Sequence, residues 1–299
     1  MPRRRMQWLD SVLSEGAQVR EILTITVLAV LSGLVSAQST MRPKYLDRAL
    51  VQHNNSEITV IANDSLPLLQ AIDALRLEYG WQINWESAPC SSRFDVVDDT
   101  DPKWRAAHPA DKGVTRPAGG LFTATLPEPN NYDQNSKHLV LSKLVEEYNA
   151  TDNPGKYMLR ADADGQFTVV GTRVRDETGK LRETSPLLDT PLTLAKGSRN
   201  AEDTINSILS ALESVTGQKV ILAELSHSLL LNTKVTMGGE KIPARELLKQ
   251  AFASTKQPLQ YDLGFNPDMP AYILSTSLAM REEDDGLGGK RLVPIDRRP

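Results

Sequence analysis

Apolar and polar positions change period several times between residues 57 and 86. Residues 57–62 (EITVIA) alternate as a strand does. Leu68, Ile72, Leu75 and Tyr79 then follow helical spacing, with Asp64 and Ser65 as N-cap candidates, Pro67 in the first turn and Gly80 to close the helix. Ile83 and Trp85 return to alternation, and with Trp81 they fall on one strand face, which reads as a core face.

The pattern recurs. A shift of 137 residues carries Leu68 onto Ile205, Ile72 onto Leu209, Leu75 onto Leu212, Gly80 onto Gly217, Ile83 onto Val220 and Trp85 onto Leu222. A short strand (residues 191–195, PLTLA) precedes the second helix, with Ser198 and Asn200 as possible caps. The second halves correspond with shorter shifts. Residues 121–126 (LFTATL) match 233–237 (TKVTM), Leu144, Val145 and Tyr148 match Leu247, Leu248 and Ala251, and Tyr157 and Leu159 match Leu259 and Tyr261. Each copy then turns, at Asp164-Gly165 and at Asn266-Pro267, into a last apolar strand (167–170 and 272–274). The order is strand–helix–strand, strand–helix–hairpin. It predicts an α+β fold of two tandem small two-layer modules, each a mixed sheet with two helices on one face.

The modules are expected over residues 56–175, with an insertion at 89–120, and over 189–279. Residues 38–55 and 176–188 read as linkers, and the charged, glycine-containing stretch 280–299 reads as a disordered tail.

Residues 1–37 carry an export signal. Arg3, Arg4 and Arg5 give a positive start, residues 22–35 (ILTITVLAVLSGLV) run without a charge, and the small residues Val35, Ser36 and Ala37 suit cleavage between Ala37 and Gln38. An uncleaved inner-membrane anchor is the alternative, and secretion is a further destination; a periplasmic body is expected. No cysteine follows the apolar run to take a lipid, and the single Cys90 excludes an intrachain disulfide. It reads as a small buried hydrophobe.

At these residues the chain resembles the short N-terminal (STN-like) domain of secretins and TonB-dependent receptors. The resemblance lies in an amphipathic helix ending in glycine (DALRLEYG; SALESVTG), an apolar strand (WQINWE; QKVILAE), and a second helix of the ARELLKQAFAST kind before a closing hairpin. It implies envelope interaction modules, which stack into rings or contact signalling partners, and it implies no catalytic residues. No pore or receptor barrel pattern follows the second copy.

The formal net charge of −4 is spread along the chain and supplies no basic stripe for nucleic acid. His53, His108, His138 and His227 stand at no metal-ligand spacing, and neither nucleophile-elbow nor phosphate-loop motifs occur. No cofactor or metal is expected. The insertion is the most informative irregular stretch. Asp95, Asp98, Asp99 and Asp101 read as a solvated acidic loop, with calcium as the alternative. Trp104, Arg105 and His108 are the candidate partner contact, and the plainer reading has Trp104 covering the edge of its own sheet. The expected function is a non-enzymatic binding or assembly protein that meets an envelope protein or a second copy of itself. The alternatives are a periplasmic hydrolase and a small-ligand-binding protein with its site between the modules.

Overall fold

The computed structural model describes residues 45–130, 133–162, 165–223, 227–286 and 288–295. The stretch read as an export signal, with the expected cleavage point at Ala37 and Gln38, lies outside them, as does Asp164 of the first hairpin turn. No helix among the described residues is long and apolar enough to cross a membrane.

In the first module β1 (Leu50–Asn54) and β2 (Glu57–Asn63) form a hairpin. Helix α1 (Pro67–Tyr79) follows, then β3 (Ile83–Glu86). The alternation of β2 buries Ile58, Val60 and Ala62, and the stripe Leu68, Ile72 and Leu75 of α1 packs on the same core. The helix starts one residue later than its capping residues suggest. Leu66 holds the N-cap position, Pro67 follows, and Asp64 Oδ1 accepts from the Leu66 N–H at 2.8 Å. Gly80 ends the helix in the left-handed conformation (φ 65°) that its sequence position implies.

The insertion is ordered: β4 (Val96–Asp98), α2 (Pro102–Ala107) and β5 (Thr115–Pro117) make a small hairpin carrying one short helix. The chain resumes with β6 (Leu121–Pro127), which pairs antiparallel with β2, then α3 (Gln134–Asn149), β7 (Lys156–Ala161), β8 (Phe167–Arg175) and β9 (Leu181–Glu183).

The second module repeats the order. It comprises β10 (Pro191–Asn200), α4 (Ala201–Thr216), β11 (Val220–Leu222), the short α5 (His227–Asn232), β12 (Lys234–Pro243), α6 (Ala244–Ala253), β13 (Leu259–Asn266) and β14 (Ala271–Leu278). Asn200 caps α4 through the Asp203 N–H at 2.7 Å, and Gly217 closes it at φ 69°. In each module the strand after the first helix runs parallel to the last strand, Ile83 beside Phe167 and Val220 beside Tyr272. The hairpins set Ala161 opposite Phe167 and Phe265 opposite Tyr272. Tyr157 is therefore level with Tyr261 and Leu159 with Leu263, two residues from the match read in the sequence. A two-residue slip keeps the same strand face inward, so alternation could not detect it.

The modules share one seven-stranded sheet, ordered β11-β14-β13-β3-β8-β7 with β9 beside β8. The joint is β13 against β3, parallel, with Asp262 beside Trp85 and Leu263 beside Glu86. Trp85 belongs to the first core and Leu263 to the second. Neighbours in register share a face, so the two pairs of helices cover opposite faces of the common sheet. One module becomes the other by a half-turn about the hydrogen-bonding direction combined with a shift along it, which is a pseudo-screw.

Three stretches differ from expectation. Residues 280–294, read as tail, form the hairpin β15 (Met280–Asp284) and β16 (Lys290–Pro294), which lies on α1. Glu282 binds Arg48 at 2.7 Å and Lys290 at 2.9 Å, and Ile295 lies against Gly80. Composition suggested disorder because the stretch is charged and glycine-containing and its few apolar residues show no strand alternation. The stretch 176–188, read as a polar linker, contributes β9 and a turn of 3-10 helix (Leu187–Asp189) whose two leucines enter the second core. Within 38–55, also read as linker, β1 adds an edge strand to the first module.

Candidate functional site

Two charged clusters sit at the joint, one on each face of the shared sheet. Arg76 ends the apolar stripe of α1 and is almost wholly buried. Its guanidinium donates to Asp262 at 2.7 and 3.2 Å, to Asp73 at 2.6 Å and to the Ile83 carbonyl at 2.5 and 3.1 Å. A helix of the first module thus grips the joining strand of the second. Burial disfavours the Arg76 cation, but Asp262 and Asp73 outweigh it, and its pKa stands above the ordinary value. Asp73 is shifted upward, chiefly by desolvation.

On the other face Arg245, in the first turn of α6, forks onto Glu86 of β3, with both bonds at 2.6 Å. The Tyr261 hydroxyl donates to the same carboxylate at 2.7 Å. Arg245 also holds Asp189, which Arg160 of β7 grips at 2.6 and 2.8 Å. Glu86 and Arg245 are 2% and 5% exposed, so water screens little of this pair. Burial opposes the Arg245 charge, yet the Glu86 carboxylate raises its pKa overall, while burial followed by Glu86 drives the Tyr261 phenol well up. For Asp189, desolvation is outweighed by its two arginines and the carboxyl stands below its usual value. A second helix thus grips the other module's joining strand. The charged groups of the two clusters are spent on each other, and the arrangement fixes orientation.

The insertion adds a bridge. Its Asp95 is fully buried and accepts from the Arg175 side chain at 2.9 Å and the Arg175 N–H at 2.8 Å. At its other end Lys112 pairs with Asp268 at 3.4 Å, in the β13–β14 turn of the second module. The remaining acids have separate tasks. Asp98 accepts from Arg105 at 2.7 Å, Asp99 pairs with Arg116 at 3.0 Å, and Asp101 caps α2. Arg105, part of the candidate partner contact, braces the loop, binding Asp98, the Thr100 hydroxyl at 3.0 Å and the Asp111 carbonyl at 2.9 Å. Trp104 is 39% exposed and stacks on His108 with ring centroids 4.7 Å apart.

A groove of about 240 Å³ opens beside α1, between β1 and the C-terminal hairpin. Among its lining charges, Arg48 pairs with Glu282, and Lys290 with Glu282 and Glu78. Trp81, Ile83 and Trp85 lie in the first core, where Trp85 stacks on Tyr157 at 4.5 Å. Cys90 is buried nearby, and burial pushes its thiol up to about 12. Lys137 of α3 is buried over the Trp81 and Phe167 rings with its Nζ at 5.7 and 5.0 Å. Desolvation lowers its pKa to about 8. Among the described residues no group of three or more His, Cys, Asp or Glu side chains is placed to hold a metal ion.

None of the clamp residues was singled out from the sequence, although two carried a signal. Arg76 continues an apolar stripe, and Arg245 opposes the helix dipole in a first turn, a placement that calls for a nearby anion. No family model, characterised protein or solved structure matches this chain.

Proposed function

We propose that the chain is an exported, non-enzymatic assembly or binding protein that presents two fused STN-like modules as one rigid body in the periplasm. The closed clamps at the joint carry this reading. A catalytic or ligand site needs polar groups converging on open space, whereas Arg76 closes on Asp262 and Arg245 on Glu86. A stiff two-module block is suited to holding partners at fixed spacing, since ordering cost is met in folding rather than on contact.

Two measurements test the reading. Alkaline phosphatase fused after residue 45 should be active in cells, and an inactive fusion would remove the export half. The purified protein should release no product from ester, peptide or glycoside reporters. Turnover abolished by a single substitution would replace this reading with the hydrolase alternative.

A further inference from the structure

The outer edges of the shared sheet are β7 and β11, and by the pseudo-screw these are the counterparts of β13 and β3, the strands that form the joint. β7 runs antiparallel to β8, which is parallel to β3; β11 is parallel to β14, which is antiparallel to β13. With β3 and β13 parallel, β7 and β11 run in the same direction. A second copy shifted along the sheet, without being turned over, brings its β11 beside β7 in the parallel sense of the joint.

The two edges correspond position by position, although Ile221 stands on β11 where Asn84 of β3 accepts the Tyr261 N–H in the joint. In the joint, the Tyr261 N–H is taken by the Asn84 side chain at 3.1 Å, and ladder pairing begins at Asp262 and Leu263. On β7, the level residue Tyr157 has its N–H and carbonyl taken by the Asn149 side chain, at 2.9 and 2.7 Å. That leaves Met158 and Leu159 as the counterparts of the two residues the joint uses. Across the gap, Leu222 and Ala223 stand where Trp85 and Glu86 stand in β3. The two ion-paired clamps of the joint have no counterpart here. Met158, 42% exposed, replaces Asp262, and exposed Glu213 and half-buried Ser142 replace Arg76 and Arg245. Among the described residues the two edges are apolar at the positions that would pair, Met158, Leu159, Leu222 and Ala223, with Ile221 and Leu222 half-exposed on β11. Unpaired apolar edges of this kind are templates for a further strand.

We propose that copies of this chain associate head to tail through β7 of one and β11 of the next, repeating the internal joint with Met158 beside Leu222 and Leu159 beside Ala223. The contact is heterologous. It closes into a ring if the sheet twist accumulates to a full turn and otherwise extends as a filament. The inference rests on the assembly reading, whose own failure would appear separately as catalytic turnover.

Cysteine cross-linking reads the register directly, because the one native thiol, Cys90, is buried. Exported protein carrying Met158→Cys, mixed under mild oxidation with protein carrying Leu222→Cys, should give disulfide-linked heterodimers. Each variant alone should give none, and the two substitutions in one chain should give a ladder. Sedimentation should show concentration-dependent association, weakened about tenfold or more by Met158→Lys at an unchanged melting temperature. Met158→Asp with Glu213→Arg recreates the Arg76–Asp262 clamp between copies and should tighten association. A monomer at the highest attainable concentration, or Met158→Cys protein linking to itself, overturns the proposal.

Discussion

Replacing Arg245 by methionine removes the cation from a pair whose members are 5% and 2% exposed. Glu86 would keep only the Tyr261 hydroxyl, at 2.7 Å, where it now also accepts two guanidinium bonds at 2.6 Å. An uncompensated buried charge costs about 3–5 kcal/mol. Glu86→Leu alone should cost less, about 2–3 kcal/mol, because Arg245 keeps Asp189 on its wetter side. Combining Arg245→Met with Glu86→Leu removes both charges and should lie within about 2 kcal/mol of the unmutated protein, a coupling of several kcal/mol. Urea unfolding followed by tryptophan fluorescence measures all four proteins, since Trp85 neighbours Glu86. The joint also couples the modules, so Arg245→Met should broaden or split the transition. A loss under about 1 kcal/mol for Arg245→Met, or additive losses in the double variant, would refute the account of the joint.

Lys137 supplies a pH test. Its folded pKa is lowered by desolvation from 10.5 to about 8, so between those values the unfolded chain binds more protons and stability should rise with pH; below pH 8 the penalty is present in full. Lys137→Met should therefore stabilise the protein at pH 7 by up to about 3 kcal/mol and flatten the alkaline rise, measured as melting temperature from pH 7 to 10.5. A methyl at Gly171 would come within 2.3 Å of the Ala88 backbone nitrogen, so Gly171→Ala should cost about 1–3 kcal/mol in denaturant titration. Arg48→Ala and Lys290→Ala act on half-exposed pairs at the C-terminal hairpin. Each should shift stability by less than about 1 kcal/mol, and the shift should shrink in high salt.

Much of the module was legible along the chain because its cores are one-sided. The stripe Leu68, Ile72, Leu75 and its copy Ile205, Leu209, Leu212 are buried as their spacing requires, and Gly80 and Gly217 take the left-handed turns that only glycine adopts freely. The α+β order followed from those periods. The hairpin offset and the insertion's internal structure did not follow, since alternation is blind to a two-residue slip and polar loops fold through specific partners.

The residues 280–294 show the same limit from the other side. Their strands mix charged residues with a few apolar ones that follow no strand period, and they pair with Arg48 and Glu78 far away in sequence. The tertiary structure alone decided how the modules join. Arg76 and Asp262 are 186 residues apart, and Arg245 and Glu86 are 159 apart. A local pattern records which face of an element is buried, because burial is repeated at every turn or every second residue. A charge pair is made once, between positions that only folding brings together, so no periodicity announces it. The sequence by itself determined the repeated module, and the structure decided that the two copies share one sheet, with their helices on opposite faces.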